Sequence, residues 1–289
     1  MLKGVNKKIS ASILAVISLL ALGCGGKNTE ADEVTIQAQS LLEKAASALK
    51  NGDTGTAQAL VDSLNKSYPE QIEARREAMN LQLLINEQAI AEEIIEVEDA
   101  ITQAEDDYTS IVEKMQKVVD PELNDYYWIA KEGTTPKFIE TTGIQARVLD
   151  NGDFCLVSEV IEAGNLHHNS VTLTLDGESV TSGSVPYDGE LNYRLNGSET
   201  VTYGSEKAKE IGQFAADHPD RAMTLTFNGE NGKTKQMKLT AKQVQAIADT
   251  YNMSVIQKNA QSLYAKRQLL ERKKALAEDQ KNRSAETSK

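Results

Sequence analysis

The clearest regularity along the chain is a repeat of apolar residues at alternating spacings of four and three. Ile90, Ile94, Val97, Ile101, Ala104, Tyr108, Ile111, Met115 and Val118 carry it, and such positions line one face of a helix as the a and d sites of heptads. Glu92, Glu93, Glu96, Glu98 and Asp99 keep the other faces wet, and neither proline nor glycine occurs between Gln71 and Asp120. The spacing therefore predicts one long helix that stops at Asp120-Pro121. A second long helix is expected from an N-cap at Thr240 to about Arg283, with Val244, Ile247, Tyr251, Val255, Ile256, Leu263, Leu270 and Leu276 on its apolar face. Two such helices flanking a folded insert can pair antiparallel and bury a seam that neither hides alone. The heptads from Ile90 to Val118 would equally serve a parallel homodimer, and periodicity leaves both arrangements open.

Between these helices the period changes from helical to alternating. Residues 144–149 and 154–161 flank Asp150-Asn151-Gly152-Asp153, a hairpin signal. Residues 170–175, 199–203, 223–227 and 235–239 read as further strands, with one helix at about 205–216. Short strands at this spacing predict a small antiparallel sandwich or barrel. Upstream of the heptads, Gly52-Asp53, Ala57, Val61, Leu64 and Pro69 resemble the second half of one tetratricopeptide repeat. One repeat forms a packed helical hairpin but no peptide-binding groove.

The first residues change the picture most. Lys3, Lys7 and Lys8 precede an apolar run at 9–20, and small residues lead to Gly23-Cys24. This is the three-part pattern of a secretory signal, too short to span a bilayer. It resembles the lipobox of bacterial lipoproteins, with Ala21 where leucine is commonest. The resemblance implies cleavage before Cys24 and acyl chains, palmitate among them, on that residue. Two or more chains hold a protein durably to a membrane. Removing residues 1–23 takes away three lysines and no acids, so a formal charge of −12 becomes −15. So acidic a chain argues against nucleic acid as partner. Eight Lys or Arg against four acids from Lys266 to Lys289 make a basic end on an acidic protein. That end suits either the dipole of a helix C-terminus or anionic head groups.

Little points to catalysis, and neither a catalytic residue nor a cofactor is assigned. Adjacent His167 and His168 would point to opposite faces of a strand and lack further ligands at metal spacing, so no metal is assigned. Cys155 could in principle attack with one of these histidines as base, but it sits in an apolar strand where cysteine packs. Tyr126, Tyr127 and Trp128 are the candidate ligand-binding residues, able to stack on sugars if exposed and otherwise to pack a helix–sheet junction. Tyr187, Tyr193 and Tyr203 are scattered near glycine-rich turns.

The combination of Gly23-Cys24, the Gly52-Asp53 turn and the stretch from Leu149-Asp150-Asn151-Gly152 to Asp176-Gly177, with Val201-Thr202-Tyr203 and Phe227 following, resembles uncharacterised lipoproteins of the Bacteroidota type. That resemblance brings no activity. The expected layout is a signal peptide at 1–23, a lipidated tether at 24–34, a tetratricopeptide-like hairpin and coiled-coil helix at 35–119, a β-domain at 120–240 and a long helix with tail at 241–289. The fold expected is α+β: a helical hairpin and a long antiparallel coiled-coil stalk with an inserted β-sandwich or barrel. The function expected is a non-catalytic structural or protein-interaction module in the outer membrane of a Gram-negative envelope, facing the periplasm or the cell surface. Its partners would be the membrane, through Cys24, and an envelope protein. The alternatives are a glycan or small-ligand binder through the β-domain, and a hydrolase.

Overall fold

Helix-forming and strand-forming stretches separate cleanly along this chain. The structure, a computed structural model, describes residues 30–120, 125–134 and 138–287. Among these residues it is mixed α and β, with five α-helices and two antiparallel sheets. The chain divides into two compact units, one of residues up to Glu98 with Lys266–Lys289, the other Asp99–Ala265. Among the described residues no helix is long and apolar enough to cross a membrane.

In the first unit α1 (Glu30–Lys50) and α2 (Thr54–Ser67) form the expected hairpin. The helix starts inside the expected tether, so residues 30–34 are helical rather than loose. Gly52 takes φ +82 at the turn, a left-handed conformation that glycine adopts without penalty. Asp53 then caps α2, its carboxylate accepting from the Thr56 amide at 2.8 Å. Ala38, Leu42, Ala45 and Leu49 of α1 and Ala57, Val61 and Leu64 of α2 close over Ala74, Ala78, Leu81 and Ile85 of α3 (Ile72–Val112). The end of α5 (Ala241–Thr287) runs antiparallel to α3 in this unit. Lys266 meets Glu93 at 2.9 Å, Arg267 meets Glu98 at 3.5 Å and Lys281 meets Glu87 at 2.7 Å.

In the second unit α3 stops at Val112, eight residues before the expected end. Met115 and Val118 continue the four-three spacing but lie on a strand, β1 (Met115–Asp120), which pairs with β2 (Asp125–Ala130) from Met115↔Ala130 to Asp120↔Asp125. The heptad reading is corrected there. Val118-Val119 favours a strand, and Met115 stays buried in either geometry because it packs beside Ile111.

The remaining strands are β3 (Gly143–Leu149), β4 (Phe154–Val160), β5 (Ser170–Leu175), β6 (Glu178–Thr181), β7 (Asn192–Leu195), β8 (Ser198–Tyr203), β9 (Met223–Asn228) and β10 (Thr234–Leu239), with α4 (Ser205–Asp217) between β8 and β9. One sheet has the order β1-β2-β3-β4-β8-β7 and the other β10-β9-β5-β6. Neither closes, so the barrel alternative is overturned. The β1–β3 end is covered by helix instead, where Met115, Trp128, Ala130 and Val148 pack with Ile111 of α3 and Ala246 and Met253 of α5. The main core joins Phe154, Leu156 and Val160 of β4 and Val201 and Tyr203 of β8 to Val171, Leu173, Leu225 and Phe227 of β5 and β9. Ile211 of α4 and Val244 and Ile247 of α5 complete it.

Candidate functional site

Cys24, the lipidation site expected from the sequence, lies outside the described residues. The three aromatics of β2 are described, and strand alternation divides them. Trp128 faces the cluster shared with α3 and α5. Tyr126 carries the Lys117 ammonium 3.5 Å from its ring centroid, and Tyr127 carries the Arg147 guanidinium at 4.4 Å. A cation of the chain itself therefore covers one face of each of these two rings. Tyr203 is fully buried, whereas Tyr187 and Tyr193 are exposed.

The two histidines separate, but not by strand alternation: both precede β5, and His167 takes φ +54. His167 turns outward to the Glu230 carboxylate, 2.9 Å from its Nδ1, and His168 enters the core. Among the described residues no three His, Cys, Asp or Glu side chains gather as a metal site would need. Cys155 stands on the opposite face of β4 from Ser158, the residue that His168 meets, so no Cys–His pair forms. Burial pushes the Cys155 thiol up to about 11, against the pull of nearby Arg147. A thiol reagent at mildly alkaline pH is accordingly expected to label Cys155 no faster than the domain opens, and completely in denaturant. Labelling of the native protein as fast as a free thiol would contradict this packing.

The sequence did not anticipate the arrangement around His168. Its Nδ1 lies 2.8 Å from the Glu199 carboxylate and its Nε2 lies 2.8 Å from Ser158 Oγ. This is the order of nucleophile, base and orienting acid found in serine hydrolases. Three observations set it apart from a working triad. Ser158 and His168 are 0% exposed and Glu199 2% exposed, so no substrate reaches the hydroxyl. Ser158 lies mid-strand, paired to Ile144 and Val201 on its two sides, which leaves no free amides for an oxyanion. The space beyond Ser158 Oγ is taken by the Tyr203 hydroxyl at 3.3 Å.

The same geometry is complete as a structural network. Burial lowers the His168 pKa, opposed by Glu199, so the ring is neutral. Its Nδ1–H then donates to Glu199, and its Nε2 accepts from Ser158, whose oxygen accepts from Tyr203. Glu199 also accepts from the His167 and His168 amides, at 2.7 and 2.8 Å. Burial pushes the Glu199 carboxyl up, but these hydrogen bonds from His168 and His167 outweigh it and leave the pKa lowered. Asn192 of β7 ties the assembly to the neighbouring loop, donating to the His168 and Val185 carbonyls. Ser158, His168 and Glu199 each have partners, as buried polar groups need, while Asn192 Oδ1 and Arg194 Nε beside them are buried without a hydrogen bond.

One cleft of about 440 Å³ opens in this unit, lined by Glu113, Lys114, Lys131, Glu132, Lys242 and Asp249 among others. Lys114 pairs with Asp249 at 3.2 Å, Lys242 with Glu132 at 3.5 Å, and Lys131 donates to the Glu113 carbonyl at 2.7 Å. These charges answer one another and leave no excess of either sign. Comparison with protein-family models, curated proteins and solved structures yields no match to this chain.

Proposed function

We propose that the protein is a lipid-anchored, non-catalytic interaction module of a Gram-negative cell envelope, held in the outer membrane by acyl chains on Cys24. The non-catalytic half is supported by one observation: the Ser158–His168–Glu199 arrangement is sealed inside the core. The anchor half rests on the signal pattern that ends at Gly23-Cys24. In this reading the antiparallel contacts of α3 and α5 belong to a coiled-coil stalk, and the two sheets face each other as a sandwich. Leu191, Tyr193 and Leu195, all 36% exposed or more, gather on β7 and the turn before it, next to Tyr187, whose ring carries the Arg194 guanidinium at 4.4 Å. Contiguous exposed apolar side chains of this kind are what a protein partner covers. Their position on an edge strand leaves the sealed core undisturbed.

Metabolic labelling with palmitate tests the anchor. The wild-type chain is expected to take up label and fractionate with membranes, and Cys24→Ala to lose both. Label on the Cys24→Ala chain would overturn the reading. Protease treatment of intact cells then decides the face: digestion places the β-region outside, and protection places it in the periplasm.

A further inference from the structure

Pairing with α3 uses only part of the basic end of α5. Lys266, Arg267 and Lys281 turn to Glu93, Glu98 and Glu87, and Leu270 and Ala277 are the buried positions of that seam. The helical repeat of 3.6 residues per turn puts Leu269, Arg272, Lys273 and Leu276 together on a neighbouring face. Leu269 is 52% exposed and Leu276 64% exposed. Arg272 and Lys273 are exposed and make no salt bridge among the described residues, though Lys273 shares the groove beside Leu276 with Glu93, which is itself paired with Lys266. Gln280 and Arg283 follow on this face, with Arg283 paired to Asp279 at its border. Glu271 and Glu278 fall on the other side of the helix. Beside Leu276 a groove of about 370 Å³ carries the apolar strip across to Ala89 and Ile90 of α3.

We infer that this face binds the anionic phospholipid surface of the membrane that holds the chain. Leu269 and Leu276 enter the interface and Arg272 and Lys273 meet head-group phosphates, as a basic amphipathic helix does. The inference rests on the lipid-anchor reading. Chain length argues for membrane over a protein partner. Only residues 25–29 separate Cys24 from Glu30 at the start of α1, a reach of at most about 21 Å at roughly 3.5 Å per residue step. Helix α1 and the basic end of α5 belong to the same unit, so the acyl chains keep this face within reach of the head groups. The acids nearest the strip are Glu93 and Asp279, each neutralised by a cation, Lys266 at 2.9 Å and Arg283 at 2.7 Å.

Flotation with vesicles tests it, using the mature chain from residue 24 with Cys24→Ala, which keeps every described residue and lacks only the lipid. Binding is expected to vesicles containing phosphatidylglycerol and not to phosphatidylcholine alone. Arg272→Gln with Lys273→Gln should weaken it about twentyfold, and Leu269→Ser with Leu276→Ser should abolish it, with helicity by circular dichroism unchanged. Lys274→Gln, turned away from the strip, should change it less than about threefold. Absence of binding, or equal loss from Lys274→Gln and the Arg272/Lys273 pair, would overturn the inference. A photo-crosslinker at position 276 in cells should give phospholipid adducts, and a protein adduct there would overturn it in favour of an acidic partner. Palmitate labelling reads the anchor separately: a labelled Cys24 without flotation overturns the strip alone, and flotation with an unlabelled Cys24 overturns the anchor alone.

Discussion

Glu199→Ala is expected to cost about 3–5 kcal/mol of unfolding free energy, from about 1–3 kcal/mol for each of the donors it leaves without a partner. The loss follows from what Glu199 holds. Its two oxygens receive the His167 amide, the His168 amide and the His168 ring. Alanine would strand all three donors in a region that water does not reach, and an unmet buried donor costs about 1–3 kcal/mol. Glu199→Gln should lose less, because its amide oxygen can still accept from the His168 amide and ring, leaving only the His167 amide facing the new NH2 group. Urea unfolding followed through Trp128, the single tryptophan and a residue of the same unit, measures both. A Glu199→Ala chain within about 0.5 kcal/mol of wild type, as for an ordinary surface change, would show that the network is dispensable.

The network also sets how stability changes with pH. The folded pKa of His168 is depressed below 6.5, so the unfolded chain binds the proton more readily. Its contribution is then complete above pH 6.5 and declines as the pH falls below that value. Glu199, also depressed, begins to lose its contribution only as the pH falls below 4.5. Glu159, buried and raised, acts in the opposite sense and favours the fold towards acid. The decline that begins just below pH 6.5 should therefore vanish in His168→Phe, whatever that substitution does to absolute stability. A decline that survived would assign it to other groups.

The parts of this fold that the sequence disclosed are those whose alternation is apolar. Strands β3, β4, β5 and β9 alternate apolar with other residues, interrupted in β4 by Ser158, and lead into glycine turns, so periodicity marks them; β10 alternates Met237 and Leu239 with polar residues and runs into α5. Strand β6 is polar, and β7 has four residues, Asn192-Tyr193-Arg194-Leu195. Strand β1 was hidden by coincidence, its Met115 and Val118 fitting a helix as well as a sheet. The polar network left a fainter trace. Ser158 shares strand parity with Phe154, Leu156 and Val160, and Glu199 shares it with Val201 and Tyr203, so both are polar residues at core-facing positions. Parity flags each one, but nothing in the sequence tells that His168 is the residue between them. The basic end of the chain was equally visible as charge, while its ion pairs with Glu87, Glu93 and Glu98 needed the two helices side by side.

Gly212→Ala should be the most damaging conservative change in the helical cover of the core. In an exposed helix interior the substitution would gain up to about 1 kcal/mol from propensity. Here Gly212 is buried on α4, and a Cβ would stand 2.3 Å from Tyr251 Cδ2 and 2.8 Å from Phe154 Cε1. Neither ring can withdraw freely. They pack edge to face with centroids 5.3 Å apart, and the Tyr251 hydroxyl donates to Gln213 at 3.1 Å. Overpacking of this kind costs about 1–3 kcal/mol or more, so the net effect should be a loss of about 2–3 kcal/mol in the same urea titration. Tyr251→Ala removes the nearer obstacle, and on that background Gly212→Ala should cost less than about 1 kcal/mol, a coupling of the size that contacting residues show. An equal cost on both backgrounds would move the obstruction to Phe154. A net gain from Gly212→Ala alone would mean that α4 does not approach α5 and β4 as closely as the structure has it.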